Sequence, residues 1–185
     1  MKLELQSPIE TRRLRLRIVE EADVEALMLV NGDEAVTHFL PYPTWRSLED
    51  GLAWFDRMVK VCETGETLQL VIIEKESDRV VGSCLLLHYD QASARAEIGY
   101  VMGRAHWNLG FTYEALTALI TYAFEKYELR RIEAEIDPEN VASSGLILKL
   151  GFTCEGLLRQ RWMAKGKPYD TSIYGLLREE WSYAS

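Results

Sequence analysis

Cysteine and histidine are scarce in this chain of 185 residues, with three of each. Cys62, Cys84 and Cys154 are odd in number, widely spaced and form no CxxC pair. Neither a disulfide framework nor a zinc knuckle is therefore expected, and the reducing cytoplasm is the default compartment. His38, His88 and His106 are too scattered to suggest a metal site, and none is expected. No apolar run is long enough to span a bilayer. The N-terminal MKLELQSPIETRRLRLR alternates charged and apolar residues where a signal peptide would carry an apolar core. There is no internal repeat, low-complexity tract or Pro/Gly/Ser-rich linker, so one domain over residues 1–185 is expected. Walker, GxGxxG and GxSxG motifs are missing as well. Positive charge is in deficit: 21 Lys and Arg stand against 29 Asp and Glu, a formal net charge of −8. That argues against nucleic acid as a partner and agrees with a cationic substrate, although solubility by itself accounts for such a charge.

What is present is a chain of short periodic segments. Residues 11–19 alternate strictly, with Leu14, Leu16 and Ile18 on one face and Arg13, Arg15 and Arg17 on the other, which predicts a half-buried strand. A helix is expected over 20–30. Pro41 and Pro43 rule out regular helix over 39–43. Ser47 is placed to cap a helix running to about 62, with Leu52, Phe55, Met58 and Val59 on one side. Strands at 68–74, 79–88 and 94–102 are close together and separated by turn signals, which predicts an antiparallel meander. A long helix over 111–127 carries an apolar stripe of Leu116, Leu119, Ile120, Ala123 and Phe124. A strand at 131–137, a helix at 140–150 stopped by Gly151, and strands at 152–162 and 170–177 complete the chain. Seven strands and four helices in this order predict an α+β fold around one mixed sheet.

Two segments carry chemistry. His106 to Ala115 joins a strand end to a helix start, where free backbone N–H groups and the positive end of the helix dipole suit a phosphate. Gly110 would let that backbone approach closely. An ordinary strand-to-helix turn accounts for the same residues. The second segment is Asp137 to Phe152, in which Asn140 sits at a capping position; capping alone also accounts for Asn140 and Ser143.

In joint order and spacing, four stretches resemble the GNAT acetyltransferases, in particular the subgroup containing the ribosomal-protein N-terminal alanine acetyltransferases. They are Thr-Arg-Arg-Leu-Arg-Leu-Arg at 11–17, Ala-Glu-Ile-Gly-Tyr at 96–100, Trp-x-x-Gly-Phe-x-x-Glu-Ala-Leu at 107–116, and Asn-x-Ala-Ser…Lys-Leu-Gly-Phe at 140–152. The ending from Tyr174 to Trp181 is similar too. The resemblance implies a GNAT fold: a mostly antiparallel twisted sheet of about seven strands, helices on both faces, and a V-shaped split between the strands at 94–102 and 131–137. It implies acetyl-CoA as co-substrate, held by the backbone of Val101, Met102 and Gly103 along its arm. The N–H groups of Leu109, Gly110, Phe111, Thr112 and Tyr113 would meet the pyrophosphate, with Asn140, Ser143 and Lys149 also touching the cofactor. The sequence departs from the family pattern at Leu109, where a basic residue is usual, and at Thr112, where Gly or Ala is common. It departs again at Gly145, commonly Arg, and at Ile147, where many members carry a tyrosine that protonates the leaving thiolate.

The implied activity is N-acetyl transfer to a primary amine of a small molecule or peptide, by direct attack in a ternary complex. Glu97 is the expected base. It shares a strand face with Arg95, Gly99 and Val101, opposite Ala96, Ile98 and Tyr100, and a carboxylate there is costly unless paired or used. Pairing with a basic neighbour such as Arg95 is the structural alternative. Ser143 and Tyr174 are the hydroxyls expected near the leaving group. Cys154 reads as a buried cysteine rather than a nucleophile. The acceptor is expected between residues 39–45, the helix at 47–62 and the 162–170 hairpin, with Tyr42, Trp45 and Trp162 as candidate lining. A homodimer is left open. The competing reading is a CoA-holding module without turnover, acting as a sensor or partner protein.

Overall fold

The structure, a computed structural model, describes residues 2–182. Eight strands form one sheet in the order β1-β2-β3-β4-β5-β6-β8-β7. They are β1 (Ile9–Glu10), β2 (Leu14–Ile18), β3 (Leu68–Glu74), β4 (Arg79–Asp90), β5 (Arg95–Met102), β6 (Arg131–Ile136), β7 (Thr153–Ala164) and β8 (Lys167–Leu177). The α-helices are α1 (Val24–Asn31), α2 (Glu34–Thr37), α3 (Leu48–Glu63), α4 (Phe111–Lys126) and α5 (Val141–Lys149). Every strand pair is antiparallel except β5 with β6. The α+β class and the single mixed sheet are as the sequence predicts. The eighth strand is the two-residue β1, and the one-turn α2 is a further addition; both are too short to leave a periodic signal.

Alternation explains how the sheet is oriented. On β2, Leu14 and Leu16 are fully buried while Arg15 and Arg17 look outward. The central strand β3, Leu-Gln-Leu-Val-Ile-Ile-Glu, is buried on both faces, as its nearly unbroken apolar run requires. One face packs Ala96, Ile98 and Met102 of β5, Ile132, Ala134 and Ile136 of β6, and Leu176 of β8 against the stripe of α4, against Ile147 of α5 and against Leu150 just past its end. The opposite face packs Val71 and Ile73 of β3 against Val24, Leu27 and Trp45. On that same face Val101 of β5 meets Val30 and Val36. Helices therefore cover both faces.

Three local expectations need correction. Residues 21–23 form a 3-10 turn ahead of α1, because buried Asp23 turns back to take two 2.7 Å bonds from Arg17. On α3, Leu52 and Val59 are exposed, and the packed side chains are Trp54 and Phe55. The start of α3 does follow the sequence, since Ser47 and Asp50 form a reciprocal capping box. Cys154 is exposed, on an edge strand with little of its length covered.

Candidate active site

The parallel pair β5–β6 is short. Arg95, Ala96 and Glu97 pair with Arg131, Ile132 and Glu133, and beyond that the two strands part. β5 stays with β4 as far as Met102, and β6 stays with β8 throughout. The result is a V-shaped split along which the two strands no longer pair with each other. The N–H of Gly103 donates to Val81 on β4 at 2.8 Å, and the carbonyl of Ala94 accepts from Arg130, the residue just before β6. Alternation along β5 then turns the N–H and C=O of Tyr100 and Met102 toward the split and those of Val101 toward β4. Of the three residues expected to meet the cofactor arm, Met102 turns its backbone to the split and Val101 also lines the cavity there, while the Gly103 N–H is spent on Val81; the Met102 carbonyl accepts a 2.7 Å bond from the Trp107 indole.

Gly110 leads into α4 with φ +77°, a left-handed conformation that glycine adopts without strain. No side chain caps this helix start. The first-turn N–H groups of Phe111, Thr112 and Tyr113 have no carbonyl one turn earlier to bond, and they sit at the positive end of the helix dipole. The Phe111 ring itself is buried, whereas the Leu109 side chain is exposed. A residue far away in sequence braces this loop. Arg13 donates to the Leu109 carbonyl at 2.9 Å, pairs with Glu114 at 2.7 Å, and stacks over the Phe111 ring at 4.5 Å. Lys149 of α5 lies over the Tyr113 ring at 4.8 Å.

A cavity of 1440 Å³ runs from this loop, through the split, to the opposite face. Pockets for a single small ligand are typically about 300–1,000 Å³, so this one has room for two reactants. Its cofactor-side wall includes Gly110, Thr112, Tyr113, Asn140, Ser143 and Lys149. Its far wall includes Tyr42, Trp45, Trp54 and Trp162, which brings together the loop at 39–45, helix α3 and the β7–β8 hairpin. Lys165 at the tip of that hairpin donates to the carbonyls of Thr37 and His38 at 2.7 and 3.0 Å, tying the hairpin to α2.

Glu97 lines the cavity. Its neighbour is not Arg95, which is drawn to Glu133 at 2.9 Å, but His88, whose Nδ1 lies 2.9 Å from Glu97 Oε2. His88 reaches this position through a bulge in the β4–β5 ladder and a backbone φ of +52°. Burial pushes the Glu97 pKa up; the His88 hydrogen bond opposes this, and the nearby carboxylates of Glu135 and Glu133 add to the rise. Glu133 is held by Arg95 and Arg131, and Glu135 by Arg161 and the Trp162 indole.

Ser143 and Asn140 meet through a helix cap: Asn140 Oδ1 accepts from the Ser143 N–H at 3.1 Å. The capping role is thus real, and both residues also line the cavity. Tyr174 needs correction. Its position on β8 turns it to the α4–α5 face, where it is buried in the core, and it is not part of the cavity wall. Beside Ser143 the phenol on the wall is that of Tyr100, whose hydroxyl lies 2.5 Å from Ser143 Oγ. Tyr100, His88 and Arg13 escape sequence reasoning, although Tyr100 and Arg13 stand inside motifs singled out there.

A mixed sheet parted between two parallel strands, with an uncapped, glycine-led helix start at the split, defines a GNAT-type acetyltransferase. The family described as "Acetyltransferase (GNAT) domain" matches residues 13–153, and the chain belongs to that family. It is an acetyltransferase of a family that uses acetyl-CoA. It is 37% identical over 172 residues to a protein of Bacillus licheniformis named "Uncharacterized N-acetyltransferase p20", covering 93% of this chain and 97% of that one. It is 26% identical over 183 residues to the [Ribosomal protein uS5]-alanine N-acetyltransferase of Escherichia coli, covering 94% and 92%. Among solved structures, the GNAT-family acetyltransferase from Bacillus anthracis superposes with a TM-score of 0.83 at 26% identity, covering 94% of this chain and 99% of that one.

Proposed function

We propose that the chain transfers the acetyl group of acetyl-CoA to a primary amine, on a peptide N-terminus or a small molecule, by direct attack in a ternary complex. The observation that carries this reading is Glu97, a carboxylate of raised basicity on the wall of a cavity that joins the phosphate-suited loop to an aromatic acceptor end.

The residues fit acetyl-CoA on their own chemistry. The uncapped start of α4 suits the pyrophosphate, with Thr112, Tyr113 and Lys149 beside it. The edges of Tyr100 and Met102, together with Asn140, suit an amide-bearing arm. Bound there, acetyl-CoA would supply an activated thioester. An α-amine has an ordinary pKa of about 7.7–8.0 and a lysine amine about 10.4, and only the neutral form attacks. Glu97 takes the amine proton, and its elevated pKa brings it nearer the working pH than an ordinary carboxylate. The edge N–H groups at the end of β5 are placed to receive the oxyanion. Ser143 would stand beside the departing sulfur.

The experiment is release of free thiol from acetyl-CoA with a panel of peptide, polyamine and amino-acid amines, in the wild type and in Glu97→Gln. Amine-dependent release that collapses in Glu97→Gln supports the reading. Tight acetyl-CoA binding with no release for any amine would leave a CoA-holding module instead.

A further inference from the structure

Ser143 and Ile147 are one turn apart on α5, yet only the first can act on a ligand. Ile147 is fully buried, so that position offers the split neither a hydroxyl nor access. The nearest phenol comes from the sheet. Tyr100 OH and Ser143 Oγ lie 2.5 Å apart, and both side chains line the cavity. Two hydroxyls carry two hydrogens and spend one on their mutual bond. Whichever of them donates, a single O–H is left for a third group.

The sheet places this pair opposite the base. Glu97 and Tyr100 differ by an odd number of positions on β5, so their side chains leave on opposite faces. Glu97 looks toward the acceptor end, and Tyr100 looks toward α5. An amine arriving beside Glu97 and a sulfur departing beside Tyr100 and Ser143 use the two sides of the split.

We propose that Tyr100 is a positioning residue for the leaving group: its hydroxyl holds Ser143 so that the remaining O–H of the pair is aimed at the sulfur of the thioester. This rests on the acetyl-transfer reading. The carbon–nitrogen bond forms as the amine proton passes to Glu97. The carbon–sulfur bond then breaks with its electron pair going to sulfur. The hydroxyl pair donates a hydrogen bond to that thiolate and keeps both of its protons, and the thiolate is protonated by water on release.

The acid strengths agree with donation rather than transfer. Burial pushes the Tyr100 phenol up to about 12, the bond to Ser143 opposes this, and Tyr174 from β8 adds slightly to the rise. A thiol has an ordinary pKa of about 8.5, so handing it the phenolic proton outright would run uphill.

The test compares wild type, Tyr100→Phe, Ser143→Ala and the double variant. The readouts are kcat, KM for acetyl-CoA, melting temperature and, with CoA alone bound, the pH at which its thiol ionises, followed by thiolate absorbance. Each single variant should lower kcat about tenfold, the weight of one charge-assisted hydrogen bond. KM and melting temperature should hold, and the double variant should be no slower than the slower single. The bound thiol should ionise at higher pH in Tyr100→Phe than in the wild type. Wild-type kcat in Tyr100→Phe, multiplying losses in the double variant, or an unmoved thiol ionisation would each overturn the proposal. A wild type that releases no thiol with any amine removes the transfer reading instead, and the CoA ionisation comparison still judges the pair. Ser143 is only half-buried, so Ser143→Ala remains informative should Tyr100→Phe fold poorly.

Discussion

Glu114 offers a test of how the start of the chain is fastened to the phosphate-suited loop. Its carboxylate accepts from Thr11 Oγ1 at 2.6 Å, from the Arg13 backbone N–H at 2.7 Å and from Arg13 Nε at 2.7 Å. The Arg13 side chain is 42% exposed and that of Glu114 18%, so the ion pair itself, screened by water, contributes about 0.5 kcal/mol. The hydroxyl and backbone bonds go to a charged acceptor on its less exposed side and contribute about 1 kcal/mol each after the same discount. Thr11 and the Arg13 N–H share one oxygen, so Glu114→Gln keeps both bonds at neutral strength on its amide oxygen and gives up the ion pair and the charge assistance, an expected loss of about 1 kcal/mol. For a chain of this length that lowers the melting temperature by about 2–4 °C.

The pH dependence has a definite sign. Burial disfavours the Glu114 charge, but the bonds from Thr11 and Arg13 outweigh it and hold the pKa below the ordinary 4.5. The stabilisation is therefore complete above that value and is lost as pH falls through the folded-state pKa. Thermal melts followed by circular dichroism should differ between the two proteins at pH 7 and converge in stronger acid. Acetyl-CoA titrated by calorimetry should bind more weakly to the variant, because Arg13 also holds the Leu109 carbonyl. A variant melting within about 1 °C of wild type at pH 7 would refute the idea that these bonds carry net stability.

Glu97→Gln should lower kcat by about 10²–10⁴-fold, with KM for acetyl-CoA little changed. Because burial raises the Glu97 pKa, the wild-type kcat/KM should fall in acid from a point above pH 4.5, and that limb should vanish in the variant. A raised carboxylate pKa also means that its contribution to stability is lost as pH rises, so Glu97→Gln should melt no lower than wild type at neutral pH. Gly110→Ala must hold a side chain at φ +77° and should cost about 1–2 kcal/mol by denaturant titration while weakening acetyl-CoA binding. Ile147→Tyr would overfill the core, costing about 1–3 kcal/mol, and should leave the deficit of Tyr100→Phe uncorrected in thiol-release assays.

How much of the fold and site is legible in the sequence depends on whether the signal is local. The alternation of Leu14 and Leu16, the stripe of α4 and the Ser47 cap involve residues a few positions apart, and each produces its element. Gly110 is legible because a helix start needing a left-handed residue names glycine on its own. The partners that tune the site are distant in sequence. His88 meets Glu97 only through a bulge, and no pattern in the residues of β4 announces one. Tyr100 and Ser143 are 43 positions apart and meet because α5 packs back over β5. Arg13 reaches a carbonyl 96 positions away. Tyr174 fails for the complementary reason: its motif fixes its place in the order of the chain, but the register of β8 against β6 decides which face it takes.

The short β5–β6 ladder has a consequence for how long the protein lasts. Three residue pairs, a few ion pairs such as Arg95–Glu133 and the helices beneath are what stitch the first five strands to the last three. Local opening draws on regions with few backbone bonds holding them, and three residue pairs are few. A molecule that fills the seam in the folded state alone adds its binding free energy to the global stability, about 2.7 kcal/mol at one hundred times its dissociation constant. Proteolysis samples the opened population. Turnover of the protein itself would then track the supply of its acetyl donor, with the chain durable when the donor is plentiful and short-lived when it is scarce.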